Sequence, residues 1–291
     1  MVSNTIQCGF DSHSGHSLEE PLSGADHKDM RAPGTTSARA LLAMTVTAAA
    51  LSGCSALGSL AAPPGARPGL DVPSRSSDGT LRRLGTPALA PGGQGGYAFL
   101  QSRPDGSPVT FDPCRPVHFV VRPDHEPAAG RALLLGALAD VSAATGLQFV
   151  DDGATDEAPA DDRPPYQRKR YGDRWAPVLV SWSTPASAGD SAGGIRGRAG
   201  PNVCGRDRDD VRFVTASAVF NGPALDAQLR SGEDAKARAV LLHELGHLVG
   251  LGHVGDPYQV MYDTNAYPLD SYRAGDLRGL QQLGLGRCFD Q

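Results

Sequence analysis

The sequence predicts an α+β domain in which a mixed, twisted β-sheet packs against helices, much like an α/β sandwich. A strand pattern of β-branched and aromatic residues precedes a long amphipathic helix pattern. Further strand patterns follow that helix, and two more helix patterns lie near the C-terminus. Because the order is strand, helix, several strands and then helices, both kinds of element are expected in one layered domain.

The first predicted elements are a strand and a long N-terminal helix. The strand covers 117–121 and ends before Pro123. The helix covers 128–145, and Gly146 follows it where a C-cap requires positive φ. Leucine and valine recur on one face of this helix, at Leu134, Leu138 and Val141. A second strand covers 147–150, and the polar stretch after it is interpreted as a solvated loop.

Two more strands and two helices complete the pattern. The strands cover 178–182 and 211–220, and the Gly-rich stretch 188–205 between them is interpreted as a loop. A helix begins at Ser231, carries acidic residues in its first turn and runs to Gly250. The last helix covers about 275–283.

Composition excludes a polynucleotide partner. The chain has 291 residues with 27 Lys+Arg and 32 Asp+Glu, giving a formal net charge of −5. Nucleic-acid binding requires a basic surface, which this balance does not provide.

The N-terminal part contains an export signal. The apolar run 40–51 follows Arg31 and Arg39 and ends in Leu-Ser-Gly-Cys at Cys54. This ending resembles a bacterial lipobox, which implies cleavage before Cys54 and lipidation of that cysteine. The alternative, a buried core helix, fits the flanking residues less well. We therefore expect an exported protein, extracellular or tethered to the cell surface through a lipid anchor in the membrane.

These observations divide the chain into four parts. Residues 1–29 are interpreted as a disordered upstream extension with Met30 as the start, although an unusually long n-region would also account for them. Residues 30–53 form the signal peptide, and the Pro/Gly-rich residues 54–108 form a linker. One folded domain remains, residues 109–291.

The predicted helix after Ser231 carries a metal-ligand pattern. His243 and His247 lie one turn apart on one helix face, and a break at Gly250 would bring His253 back as a third ligand. Three histidines leave one tetrahedral position open, which is typical of a catalytic zinc site. Glu244, beside the first ligand, is the candidate general base for a water molecule.

Chance does not explain this pattern, since its five fixed residues would occur in roughly one of 10⁵ chains of this composition. The motif resembles that of the metzincin zinc peptidases. The stretch Asp256-Pro257 and then Met261-Tyr262 resembles the matrixin branch. The resemblance implies zinc-dependent peptide hydrolysis, Met261 as the Met-turn residue beneath the metal, and Tyr262 as a wall of the substrate pocket.

The sequence also departs from the matrixin pattern. Asp263 and Asn265 replace a proline and a tyrosine that commonly line the pocket, so cleavage specificity does not carry over. The ligands of a second, structural zinc have no counterpart, and we expect one catalytic zinc ion.

The cysteines allow more than one pairing. An exported domain usually pairs its thiols, and three cysteines fall in the predicted domain. Cys114 and Cys288 flank it, so the favoured bridge joins them and leaves Cys204 free; the other two pairings remain open.

Three functional interpretations remain. The first is a zinc metalloendopeptidase that acts on extended segments of extracellular proteins. The alternative is a non-catalytic lipoprotein that binds zinc or peptides, which would not need Glu244; a cell-wall amidase is a weaker third reading.

Overall fold

The computed structural model describes residues 7–10, 72–74, 79–184, 197–264, 267 and 269–289. All of them belong to one compact unit formed by residues 1–20 and 69–291. A second unit, residues 21–68, lies outside the described residues, and so do the predicted signal peptide and Cys54. In the described part, no helix is both long and apolar enough to cross a membrane.

The main sheet has six strands and is mixed, as the sequence predicts. Its strands are β1 (Gln7–Phe10), β3 (Val117–Arg122), β4 (Phe149–Ala154), β5 (Val178–Ser183), β6 (Gly197–Gly205) and β7 (Arg212–Asn221), in the spatial order β1-β6-β7-β5-β3-β4. Neighbours from β7 to β4 pair in parallel, whereas β6 pairs antiparallel with β7 and β1 antiparallel with β6. A small second sheet joins β2 (Ala98–Phe99) to β8 (Leu251–Gly252).

Five helices accompany the sheet: α1 (Gly130–Thr145), α2 (Arg168–Tyr171), α3 (Gly222–Arg230), α4 (Asp234–Val249) and α5 (Ala274–Gly284). Helix α1 buries the predicted apolar face and contacts α4 and α5, while α4 packs against β6 and β7. Because α4 contacts α1 as well as β6 and β7, every residue from Ala239 to Val249 is buried. The α+β fold class is confirmed.

Strand β6 and helix α3 were not predicted, and neither were the short elements β1, β2, α2 and β8. Strand β6 occupies the stretch interpreted as a loop, because its glycines and proline hide the alternation of an ordinary strand. Helix α3 does have a local sequence signal, an N-cap residue followed by a proline. The Asn221 side chain caps it by accepting the Ala224 N–H at 3.1 Å, and a proline occupies its first turn.

The folded unit begins before the predicted boundary at residue 109. Thr80 N–H donates to the Cys114 carbonyl and Ala88 N–H to the Ala143 carbonyl, at 2.9 and 3.0 Å. Strand β2 also lies in the stretch assigned to the linker. A Pro-rich segment needs no apolar period to follow a surface when its backbone bonds to the domain, and composition alone does not detect this.

The cysteines follow the prediction in one respect and depart from it in another. Cys114 and Cys288 form a disulfide with their Cα atoms 5.4 Å apart, which is the favoured pairing. Cys204 is also disulfide-bonded, so the expectation of a free thiol is wrong. Residues 1–29 were expected to be disordered, but β1 lies within them, and its backbone register with β6 places Cys8 opposite Cys204.

Candidate active site

Helix α4 supplies three of the four predicted site residues. His243, Glu244 and His247 are each only 2% exposed, on the part of α4 that is enclosed by the core. The helix ends at Gly250, whose φ of 116° is left-handed and whose N–H bonds to the Gly246 and His247 carbonyls. A side chain at Gly250 would also lie 2.6 Å from the Phe213 ring. The predicted break therefore falls at the predicted glycine.

The turn after Gly250 brings His253 to the other two histidines. The Nε2 atom of His253 lies 3.1 Å from that of His243 and 3.0 Å from that of His247. The Nε2 atoms of His243 and His247 are 3.1 Å apart. The structure thus brings the three predicted ligands together at one point.

Hydrogen bonds to backbone carbonyls fix the orientation of two of these rings. His243 Nδ1 lies 2.8 Å from the Val260 carbonyl oxygen, and His247 Nδ1 lies 2.8 Å from that of Leu251. Since a carbonyl oxygen only accepts, both Nδ1 atoms must carry the proton. The Nε2 atoms then carry the lone pairs that can bind a metal ion, as is usual for metal-binding histidines.

This arrangement fits a zinc ion. Tetrahedral ligands about 2.0–2.1 Å from zinc lie roughly 3.3 Å from one another, close to the observed Nε2 separations. Among the described residues, a second group, Asp112 with Cys114 and Cys288, also places potential ligand atoms together. Its cysteines form the disulfide, which leaves a single carboxylate there.

Met261 packs against α4 at Gly246, the residue before His247, and its role as the Met-turn residue stays a prediction. Its side chain is 1% exposed, and its Sδ occupies the space that a side chain at Gly246 would fill. Asp276 of α5 holds this turn, since its carboxylate accepts the Val260 N–H at 2.8 Å and the Met261 N–H at 3.2 Å. The carbonyl of the same Val260 accepts a hydrogen bond from His243 Nδ1. Helix α5 therefore supports the position of His243 through this turn.

The residues after Met261 are more exposed to solvent than Met261 itself. Tyr262 is half-buried and Asp263 is exposed, whereas Asn265 lies outside the described residues. Their assignment to a substrate pocket stays a prediction.

The Glu244 side chain is enclosed between α4 and β6. Burial raises the pKa of its carboxyl to about 8, and the Ala199 N–H, which bonds to it, acts in the opposite direction. Its Oε2 atom is buried without a hydrogen-bond partner in the described part of the chain. A cation held by the adjacent histidines would lower this pKa.

Sequence reasoning missed three residues that shape the site. Gly197 and Ala199 of β6 lie against Glu244, and Asp276 holds the Met-turn. The first two contacts join positions about 45 residues apart, so no local spacing reveals them. For Asp276 the available signal was its position in the first turn of α5, where its carboxylate accepts the Arg273 N–H.

A comparison with protein-family models agrees with this geometry. The matrixin model of the M10 peptidase family matches residues 182–283, from the end of β5 to α5. The matched segment contains the three histidines, Glu244 and the Met-turn. The match supports a matrixin-like metzincin assignment for this segment. Matrixins are zinc-dependent peptidases, so the family supports zinc as the metal and a protein or peptide as the substrate of the matrixin-like domain.

Proposed function

We propose that the matrixin-like domain is a zinc metalloendopeptidase in which His243, His247 and His253 hold one zinc ion and Glu244 is the general base. The observation that supports this most directly is the Glu244 carboxylate. It is buried beside the histidine cluster, and one of its oxygens lacks a partner among the described residues. A buried carboxylate oxygen without a partner is costly to stability, which indicates that it is kept for a task.

The edge of β6 supports cleavage within a chain rather than at its end. Residues 197–201 pair with β7 on one side, and in the described part no strand pairs with their other side. An extended peptide can add to such an edge through backbone hydrogen bonds. Because this stretch passes Glu244, a bound peptide would extend along the edge past the site. Unfolded segments of extracellular proteins are the substrates that this mode favours.

The residues of the site have separate roles in this mechanism. Zinc, when bound, supplies Lewis acidity toward the scissile carbonyl and the attacking water. Glu244 accepts the proton of that water and returns it to the leaving amine. The Ala199 N–H orients the carboxylate, and the carbonyls of Val260 and Leu251 keep two imidazoles in the tautomer that binds metal.

Replacing Glu244 by glutamine tests this proposal. Glu244→Gln keeps the shape of the side chain and all three imidazoles, but it removes the base. We expect unchanged zinc content, and cleavage of a proteome-derived peptide library that falls by about 10²- to 10⁴-fold. Mass spectrometry of the products and elemental analysis for zinc make the two measurements. Glu233→Gln is the matched control, since Glu233 lies at the exposed start of α4 and pairs with Lys236.

Loss of a ligand should behave differently from loss of the base. His247→Ala is expected to lose both bound zinc and activity, because metal affinity depends on the full ligand set. If zinc-loaded wild type cleaves nothing but binds peptides, the non-catalytic binding lipoprotein replaces the enzyme.

We also propose that the mature protein is exported and anchored through lipidated Cys54. The support is the apolar run 40–51 with its lipobox-like ending. Expressed in a bacterium with lipoprotein processing, the wild type should partition into detergent and Cys54→Ala into the aqueous phase. An aqueous wild type of unmodified mass would contradict the anchor.

A further inference from the structure

A cavity lies at the beginning of the parallel strands of the main sheet. It measures about 90 Å³ and is lined by the first residues of β3, β5 and β7 and by segments next to them. This volume holds on the order of six water molecules. Much of the wall is apolar, including Phe111, Val117, Val178 and Phe213.

The cavity is far from the zinc-ligand cluster. In the β6–β7 register, Gly197 beside Glu244 pairs with Phe220 near the end of β7. Arg212, which lines the cavity, is the first residue of the same strand. At about 3.3 Å per residue, the two places are roughly 25 Å apart along β7.

Two of the cationic side chains around the cavity already have acidic partners. Arg115 Nε lies 3.3 Å from Asp112, and Arg174 Nη2 lies 2.6 Å from Asp152. Asp152 also bonds to His118 Nδ1 at 2.8 Å. The Asp112 carboxylate is the one acidic group in the wall, and it accepts the backbone N–H of Cys114 at 2.9 Å as well.

Arg212 has no carboxylate within 4.0 Å among the described residues. Its side chain is only 9% exposed, and in the part of the chain that the structure describes its guanidinium forms neither a side-chain hydrogen bond nor an ion pair within 4.0 Å. It lies over the Phe289 ring at 4.9 Å, and burial lowers its pKa. The nearby Asp210 pairs instead with Arg206, at 2.7 Å. Asp210 and Asp112 act on the Arg212 charge from a longer distance, but both are bonded to other groups. A buried cation whose acidic neighbours are engaged elsewhere favours an additional anion.

A second donor in the wall has no acceptor. The indole Nε1 of Trp175 is buried and has no partner among the described residues. An indole N–H only donates, so it needs an oxygen or nitrogen from outside the protein wall.

We propose that this cavity binds a small organic carboxylate, which accepts hydrogen bonds from Arg212 and Trp175 while its carbon skeleton contacts the aromatic wall. One negative charge matches the Arg212 guanidinium, which has no carboxylate within 4.0 Å among the described residues, and guanidinium groups bind carboxylates through paired hydrogen bonds. The apolar wall favours a ligand with a carbon skeleton over inorganic phosphate, which carries more charge and no apolar surface. This site does not depend on the peptidase activity.

Titration of the full chain with benzoate tests the proposal. The Glu244→Gln variant is used as the background, because it prevents self-cleavage. The ¹H–¹⁵N signals of the two indoles are followed, and Trp175→Phe assigns them. We expect a saturable shift of the Trp175 signal with benzoate, and a smaller or absent shift with inorganic phosphate. The Trp182 signal serves as an internal reference.

Variants identify the groups that bind. Arg212→Gln is expected to weaken benzoate binding by about tenfold or more, because it removes the charged partner. Trp175→Phe keeps the ring and removes the donor, so calorimetry with this variant gives a second test if Arg212→Gln fails to fold. Arg206→Gln is the matched control, since Arg206 is exposed and does not line the cavity. No saturable benzoate shift, tighter binding of phosphate, or unchanged affinity in both variants would overturn the proposal.

Discussion

Gly197 lies where the edge strand β6 comes closest to Glu244. A β-carbon built at this position would be 2.7 Å from Glu244 Cγ and 3.1 Å from Cδ. Contacts this short force one side to move, and the Glu244 side chain is enclosed by the core. The glycine therefore permits the carboxylate position that the Ala199 N–H holds.

Substitution of Gly197 should displace the base without removing the metal. For Gly197→Ala we expect kcat to fall by up to about 10²-fold, because small displacements of a catalytic group cost that much. Zinc content should stay at the wild-type level. Gly92→Ala is the control, since a β-carbon there meets no atom within 4 Å. A Gly197→Ala enzyme with wild-type kcat would show that the carboxylate tolerates the displacement.

The site residues on α4 could be predicted from the sequence, whereas Gly197 could not. His243, Glu244 and His247 follow from helical spacing, and His253 from the glycine that ends the helix, because all of these constraints are local. Gly197 matters through a strand that lies elsewhere in the chain. Its role is visible only when sheet and helix are packed.

The turn that carries Met261 links α4 to α5. Asp276 accepts the N–H groups of Val260, Met261 and Arg273, the last at 2.9 Å, so one carboxylate organises the turn and the start of α5. Val260 in turn accepts from His243. The geometry of the first ligand thus depends on an element that contributes no ligand.

Asp276→Asn should weaken zinc binding. The asparagine amide presents a donor to backbone donors, so at least one of the three hydrogen bonds is lost. Loss of such outer support typically costs 10- to 100-fold in metal affinity, and we expect a decrease of about that size in competition with a chelator. The exposed Asp226→Asn on α3 should leave the affinity unchanged. Equal zinc affinities of Asp276→Asn and the wild type would show that the turn does not control zinc binding by His243.

Helices and strands could be predicted where their buried residues form a simple apolar pattern in the sequence. Helix α1 shows one apolar face, and β5 is a short apolar run, so both follow from the pattern. Strand β6 was not predicted because its small residues allow a close approach to α4 and do not alternate between apolar and polar. The Pro-rich stretch from residue 79 was assigned to a linker for a related reason, since backbone hydrogen bonds leave no mark on composition.

The disulfide ties the beginning of the domain to its end. Cys114 and Cys288 are 174 residues apart, and closing a loop of that length adds roughly 5 kcal/mol of stability in the chain-entropy model. We expect Cys288→Ser to lower the free energy of unfolding by about 2–5 kcal/mol in denaturant titrations at saturating zinc. The double variant Cys114→Ser/Cys288→Ser should lose no more than the single one. A larger loss in the double variant would mean that Cys114 stabilises the protein in another way.

Strand β1 precedes the proposed cleavage site before Cys54, so the proposed processing would remove it. Removal of β1 would expose the outer edge of β6 at residues 202–205. The mature domain would therefore offer a longer strand edge to a bound polypeptide than the unprocessed chain does.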